Sequence, residues 1–317
     1  MSDRTTVPVL LTYRPWRGTL HGPTYGMWAI ARSSLFLLLR RKLFWALYGV
    51  SVMVFLLFFY GQYLQSWLQT QIPDEPIRLG SGMIGATVKP KELIDIFRKV
   101  LHLDGSGYTF RNFFNYQSQI TMIILALTGS ILIGNDFRFG SLPFYLSKPL
   151  HRWHYLGGKF LAVGIIINLI TTLPAIVLYV EYGLIDTWEY YWDAAHLLLG
   201  ILMFGTILTI VLGLLLLATA TWLRRTMPMI MIWTSLFVFA RGLSDLLVIS
   251  FRLDSRWRLI DMWNNLYLVG NWCLRMDPST IQTPFQPKYI EAALVLAIVC
   301  VACILYLNRR IQAVEVA

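Results

Sequence analysis

The chain has little charge and few cysteines. Charged side chains make up only 14% of its 317 residues, whereas about 25% is usual in soluble domains. Three cysteines, at 273, 300 and 303, are too few to predict a disulfide scaffold. The sequence has no G-x-x-x-x-G-K-[ST] P-loop, and no Ser/His/Asp or paired-carboxylate arrangement stands out. The low charge is unusual for a soluble domain.

Long apolar runs account for the low charge, since 56% of the residues are hydrophobic. A membrane-spanning helix needs about 20 mostly apolar residues. The fold class predicted is therefore all-α, a polytopic membrane protein with a single domain over residues 1–317. Six stretches qualify as transmembrane helices: 43–64, 119–135, 160–181, 196–220, 229–249 and 290–307.

The basic residues are distributed unevenly around these spans. Segments 1–42 and 136–159 are rich in Lys and Arg, whereas the loop 182–195 contains acidic residues and no basic one. Because basic loops stay on the cytoplasmic side, both termini are expected in the cytoplasm, and loops 65–118 and 250–289 outside it. The net charge is +10, and the basic residues that cause it lie beside the apolar runs. Membrane lipid is therefore the predicted partner, and nucleic acid is not.

Two further features are expected at the membrane interfaces. Residues 25–42 place apolar side chains at helical spacing, which favours an amphipathic elbow helix in the cytoplasmic interface; the alternative is an extension of the first span. Residues 90–101 predict a short amphipathic helix that begins at a proline. The last outer loop is expected at the outer lipid interface because it carries Trp257, Trp263 and Trp272.

The segment between the second and third spans has an apolar stripe. Its members are Leu142, Leu146, Leu150, Trp153 and Leu156. A proline at position 149 interrupts the stripe, because it lacks the N–H and clashes with the preceding turn. The pattern predicts a short helix, a break and a second helix, and the alternative is an ordinary interfacial loop.

The same segment resembles the membrane subunit of type-2 ABC exporters. The family pattern is an acidic residue, Gly-Ser/Thr-Leu, Leu-Ser-x-Pro, a basic residue and Gly-Lys. The chain departs from it at Pro143, where the family often has a polar or acidic residue. The matching residues are Asp136, Gly140, Ser141, Leu142, Leu146, Ser147, Pro149, Arg152, Gly158 and Lys159.

This resemblance implies an ABC transporter permease in a bacterial cytoplasmic (inner) membrane. It implies a separate ATPase subunit, which would carry ATP and Mg, and a second permease subunit, identical or different. No cofactor, metal or catalytic residue is expected on this chain. The coupling residues implied are Asp136, Gly140, Leu142, Leu146, Ser147, Pro149, Arg152 and Trp153.

Polar residues within the spans are candidates for a translocation pathway, because they are costly against lipid. Four of them share one face of the second span, where hydrogen bonding between helices is the alternative. Arg241 and Asp245 lie four residues apart in the fifth span, either snorkelling to the surface or paired at a dimer interface. The full candidate set is Gln117, Thr121, Thr128, Asn135, Thr234, Arg241 and Asp245.

Packing features are also expected in the third and fourth spans. A proline at position 174 should kink the third span. Gly205, Thr209 and Gly213 form a small-residue stripe that predicts close packing of the fourth span.

Two functions compete with transport. One is a permease-like scaffold for signalling or assembly. The other is an intramembrane enzyme, which would need a polar cluster that the sequence does not show.

Overall fold

The computed structural model describes residues 22–71, 77–79, 86–88, 102–134, 136, 152–223, 225–277 and 285–310. Within them, six helical stretches are long and apolar enough to cross a membrane, which confirms an all-α polytopic membrane protein. They are Lys42–Trp67, Gly107–Gly134, Arg152–Ile185, Ala195–Leu223, Thr226–Ser250 and Tyr289–Arg310, called here the first to sixth spans. Each contains its predicted stretch except at residue 135, which lies outside the described part.

The first span belongs to an α-helix that continues to Gln71. The second and fifth spans depart from regular α-helix. The second is α-helical over Gly107–Gly129 and π-helical over Ser130–Gly134. The fifth alternates between the two forms: its α-helical parts are Thr226–Thr234 and Ala240–Asp245, and its π-helical parts are Ser235–Phe239 and Leu246–Ser250.

The third span breaks near the proline at which a kink was predicted. One helix covers Arg152–Ile170, Thr171 forms a turn, and a second helix covers Thr172–Ile185. Proline at position 174 has no N–H to donate to the carbonyl of Ile170, four residues earlier, and its ring crowds that carbonyl. The helix is therefore interrupted three residues before the proline at which the sequence predicts a kink.

The fourth span lies at the centre of the bundle. It contacts the second, third, fifth and sixth spans, and it is far more buried than the first, fifth and sixth spans. A Cβ added at Gly205 would collide with Thr172, and one at Gly213 would lie 2.8 Å from the ring of Phe160. The small-residue stripe thus permits the close helix packing expected from the sequence.

The elbow helix covers Pro23–Leu39. Its inner face is buried, with Ile30, Ala31, Ser34 and Leu38 at 5% exposure or less. This face packs against the beginning of the third span. The helix predicted for the N-terminal segment is confirmed, and its apolar face contacts protein.

The loops 65–118, 182–195 and 250–289 contain short elements that the sequence did not reveal. Strands Ile77–Leu79 and Ala86–Val88 pair antiparallel, with Ile77 opposite Val88. A short helix, Tyr190–Asp193, joins the third and fourth spans. A 3-10 helix, Ser255–Ile260, leads into an α-helix, Met262–Cys273, called here the cap helix. The helix predicted at 90–101 lies outside the described residues.

The cap helix corrects the expectation for the last outer loop. Trp263 is only 7% exposed and belongs to the apolar core, so it does not lie at the lipid interface. Trp257 and Trp272 keep about half of their surface exposed. The tryptophans were grouped by composition, which does not show that the loop folds back onto the fourth span.

Candidate functional site

A buried ion pair joins the second and third spans next to the segment with the apolar stripe. Nζ of Lys159 lies 2.7 Å from Oδ2 of Asp136, and the two side chains are 6% and 17% exposed. Asp136 follows the π-helical end of the second span, and Lys159 lies two turns into the third. The pair therefore connects the helices on either side of residues 137–151.

Lys159 also anchors the last turn of the second span. Its Nζ donates to the carbonyl oxygen of Leu132 over 2.6 Å. Carbonyls in the last turn of a helix lack a partner within the helix, so a lysine from the neighbouring span satisfies one of them. Because the ammonium binds both a carboxylate and a carbonyl, part of its desolvation cost is offset.

Tyr155 completes this cluster. Its hydroxyl donates to Oδ2 of Asp136 over 2.8 Å, and its side chain is 1% exposed. It precedes Lys159 by one helical turn, and the ammonium lies 5.7 Å from the centre of its ring. Spacing of four residues brings both side chains to one helix face. Asp136, Tyr155 and Lys159 are called here the junction cluster.

Two glycines allow the elbow helix to pack closely against the third span beside the junction cluster. A Cβ added at Gly158 would lie 2.7 Å from the carbonyl oxygen of Met27 and 2.9 Å from Cβ of Ile30. One added at Gly157 would lie 2.5 Å from the terminal methyl of Met27. The Gly-Gly-Lys sequence thus combines close approach of the elbow helix with the buried lysine.

The beginning of the third span also meets the end of the sixth. Nη1 of Arg152 donates to the carbonyl oxygen of Asn308 over 3.4 Å. Trp153 is 51% exposed, so its ring is available to another surface. Of the sequence-predicted coupling residues, Asp136, Arg152 and Trp153 are described; Gly140, Leu142, Leu146, Ser147 and Pro149 lie outside the described residues.

The fifth span begins at the same end of the bundle. The hydroxyls of Ser130 and Thr226 lie 2.6 Å apart. This end also gathers basic side chains, which agrees with the charge asymmetry of the sequence. The residues concerned are Arg32, Arg40, Arg41, Lys42, Arg152, Arg225, Arg309 and Arg310.

The polar face of the second span is buried within the chain. Oγ of Ser51 donates to Oε1 of Gln117 over 2.8 Å, and Nε2 of Gln117 donates to the Ser51 carbonyl over 2.9 Å. Thr121 and Thr128 donate to carbonyls of their own helix. This arrangement is hydrogen bonding between helices at Gln117. Asn135 lies outside the described residues, and Thr234 is half-buried.

Of the two alternatives given for Arg241 and Asp245, the structure does not support a pairing of the two with each other. Oδ1 of Asp245 lies 3.0 Å from Nη1 of Arg258, and among the described residues no ion pair joins Asp245 to Arg241. Arg258 lies in the 3-10 helix of the last outer loop. Spacing along one helix identified only the nearest basic residue. The sequence carries no periodic signal that would place Arg258 beside the fifth span.

The sequence analysis did not identify Tyr155 as a member of the junction cluster, although its spacing of four residues from Lys159 is visible in the sequence.

The described residues contain no group of three or more His, Cys, Asp or Glu side chains that could hold a metal ion. Comparison of the whole chain with protein-family models finds no match, and none of the curated proteins matches it either.

Proposed function

We propose that this chain is the membrane-spanning permease subunit of an ATP-driven exporter. A separate ATPase subunit would bind against the segment 136–159, and a second permease subunit, identical or different, would complete the transporter. The membrane would be the bacterial cytoplasmic one, with both termini in the cytoplasm. The sequence resemblance supplies the function, and the junction cluster is the observation that supports it.

The junction cluster gives a physical route for coupling. Movement of residues 137–151 would act on Asp136 at one end and on Arg152 at the other. The 2.7 Å ion pair and the Tyr155 hydroxyl hold these ends together, so a push on the segment moves the second and third spans jointly. The elbow helix, packed on the third span, would move with them.

Co-purification with an ATPase tests the proposal. We expect the tagged chain, extracted from its native membrane in mild detergent, to retain an ATPase subunit and ATP hydrolysis. Trp153→Asp should abolish retention, because it places a charge in an apolar contact. Trp192→Asp is the matched control, since Trp192 is 78% exposed in the short helix between the third and fourth spans. Absence of any ATPase, or equal loss in both variants, contradicts the proposal.

Transport itself needs a second measurement. The intact complex in vesicles should move a co-purifying small molecule across the bilayer when ATP is supplied, and Trp153→Asp should not. A complex that hydrolyses ATP without moving any such molecule would favour the scaffold function.

A further inference from the structure

A polar cavity lies at the end of the bundle opposite the junction cluster. Arg111 and Leu132 are 21 residues apart in the second span, which separates the two ends by about 32 Å at 1.5 Å per residue. The cavity measures about 150 Å³, well above the ~10–15 Å³ that one water needs. Its charged lining residues are Arg111, Arg241, Asp245, Arg258 and Asp261.

Arg258 carries donors that the surrounding side chains do not use. The residue is 2% exposed, and its Nη1 pairs with Asp245. Nε and Nη2 are buried without a hydrogen-bond partner in the described part of the chain. Unsatisfied buried donors are costly, and a guanidinium presents them in a fixed fork that fits oxyanions.

The acidic residues of the cavity are already occupied. Asp245 accepts from Arg258, and Oδ1 of Asp261 accepts the backbone N–H of Trp263 over 2.8 Å as N-cap of the cap helix. Burial raises the pKa of Asp261, against the lowering effect of backbone hydrogen bonds and of Arg241. Three arginines therefore face two aspartates, and the cavity carries excess positive charge.

We propose that this cavity binds a phosphate group, held by Arg258 and Arg241 with Arg111 in the wall. The phosphate could be free inorganic phosphate or the headgroup of a phospholipid or exported lipid, since both offer the same oxygens. Asn264 also lines the cavity and adds polar surface. The site is defined by this chain alone, so it does not depend on the proposed ATPase coupling.

Two probes distinguish the sources of phosphate. Equilibrium dialysis of the detergent-purified chain with labelled inorganic phosphate measures the free ion. Native mass spectrometry of the chain in a phosphate-free detergent, with and without added phosphatidic acid, measures a retained headgroup. Arg241→Gln and Arg258→Gln should each weaken binding about tenfold or more, because each removes charged hydrogen-bond donors. Arg241 is exposed, so its variant remains informative if Arg258→Gln does not fold.

Arg252→Gln is the matched control, because Arg252 is an exposed arginine of the same outer loop and does not line the cavity. Binding of either probe that falls in the two cavity variants and not in the control supports the site, and the probe that binds identifies the source. Equal weakening by Arg252→Gln, or no binding of either probe to the unaltered chain, overturns it. Neither assay contains an ATPase, so failure here leaves the proposed transport function standing.

Discussion

Asp245 and Arg258 form an ion pair whose two members differ strongly in exposure. The arginine side chain is 3% exposed and the carboxylate 41%, with Nη1 and Oδ1 3.0 Å apart. The arginine therefore depends on the aspartate more than the aspartate depends on it, since the arginine stays desolvated when its partner is removed.

The first prediction concerns this asymmetry. Asp245→Ala should destabilise the chain by about 1–2 kcal/mol, at the low end for a charged hydrogen bond because the carboxylate is partly exposed. Arg241→Ala should cost less, and combining it with Asp245→Ala should restore nothing. Asp245→Ala combined with Arg258→Leu should recover part of the loss. Unfolding in one phosphate-free detergent buffer measures all four, and a recovery through Arg241→Ala would contradict the observed pairing.

The second prediction concerns the junction cluster. Lys159→Met should destabilise the protein by roughly 3–5 kcal/mol, because it leaves the Asp136 carboxylate buried without its cation. Lys159→Met together with Asp136→Leu should cost less than the single change, since an apolar pair replaces a buried ionic one. Tyr155→Phe should cost about 1 kcal/mol for its one hydrogen bond. Thermal unfolding provides the ranking, and a double variant less stable than Lys159→Met would count against the ion pair.

The third prediction tests the seat of the elbow helix. Gly158→Ala should destabilise by roughly 1–3 kcal/mol, because the new Cβ meets the backbone oxygen of Met27 at 2.7 Å and overpacking has that cost. Gly49→Ala is the control, since nothing lies within 4 Å of a Cβ there, and it should be neutral or slightly stabilising. Disulfide crosslinking between the elbow helix and third span, after paired cysteine substitution, should weaken only in Gly158→Ala. Equal effects would show that the close approach is absent.

The fourth prediction concerns topology. A reporter fused after Ala317 should lie in the cytoplasm, and one inserted near Gly80 should lie outside, because basic residues gather at the junction end of the bundle. Alkaline phosphatase and green fluorescent protein fusions read the two sides in opposite ways. A cytoplasmic signal at both positions would show that the number of spans between them is even.

The fifth prediction concerns pH. Burial raises the pKa of Asp261 in the folded chain, so folding favours the protonated carboxyl. As pH rises above the carboxyl's unfolded pKa, the unfolded chain ionises first, and stability falls until pH passes the raised folded pKa. Asp261→Asn keeps an N-cap residue and should remove this fall. Unfolding midpoints of both proteins across the acidic range measure the difference, and parallel curves would contradict the predicted contribution.

Local sequence patterns predicted the positions of the spans. They did not predict contacts made where the loop 250–289 folds back onto the spans. The break near Pro174 and the inner face of the elbow helix follow from residues a few positions apart. The burial of Trp263 does not, because it depends on packing of the cap helix against a distant span. Asp136 and Lys159 were both visible as motif residues, yet their direct contact across residues 137–151 was not.

The sequence by itself determined the six spans and the charge asymmetry between loops. Whether a segment enters the bilayer depends on its own apolar length and on the charges beside it, and neither requires a contact with a distant part of the chain. The sequence also determined the glycine stripe at Gly205 and Gly213, since helical periodicity places such residues on one face. The tertiary structure alone decided that Arg258 pairs with Asp245 and that Tyr155 joins Lys159 on Asp136. Those contacts depend on how separate helices pack, where distance and desolvation select the partner from several side chains of suitable charge.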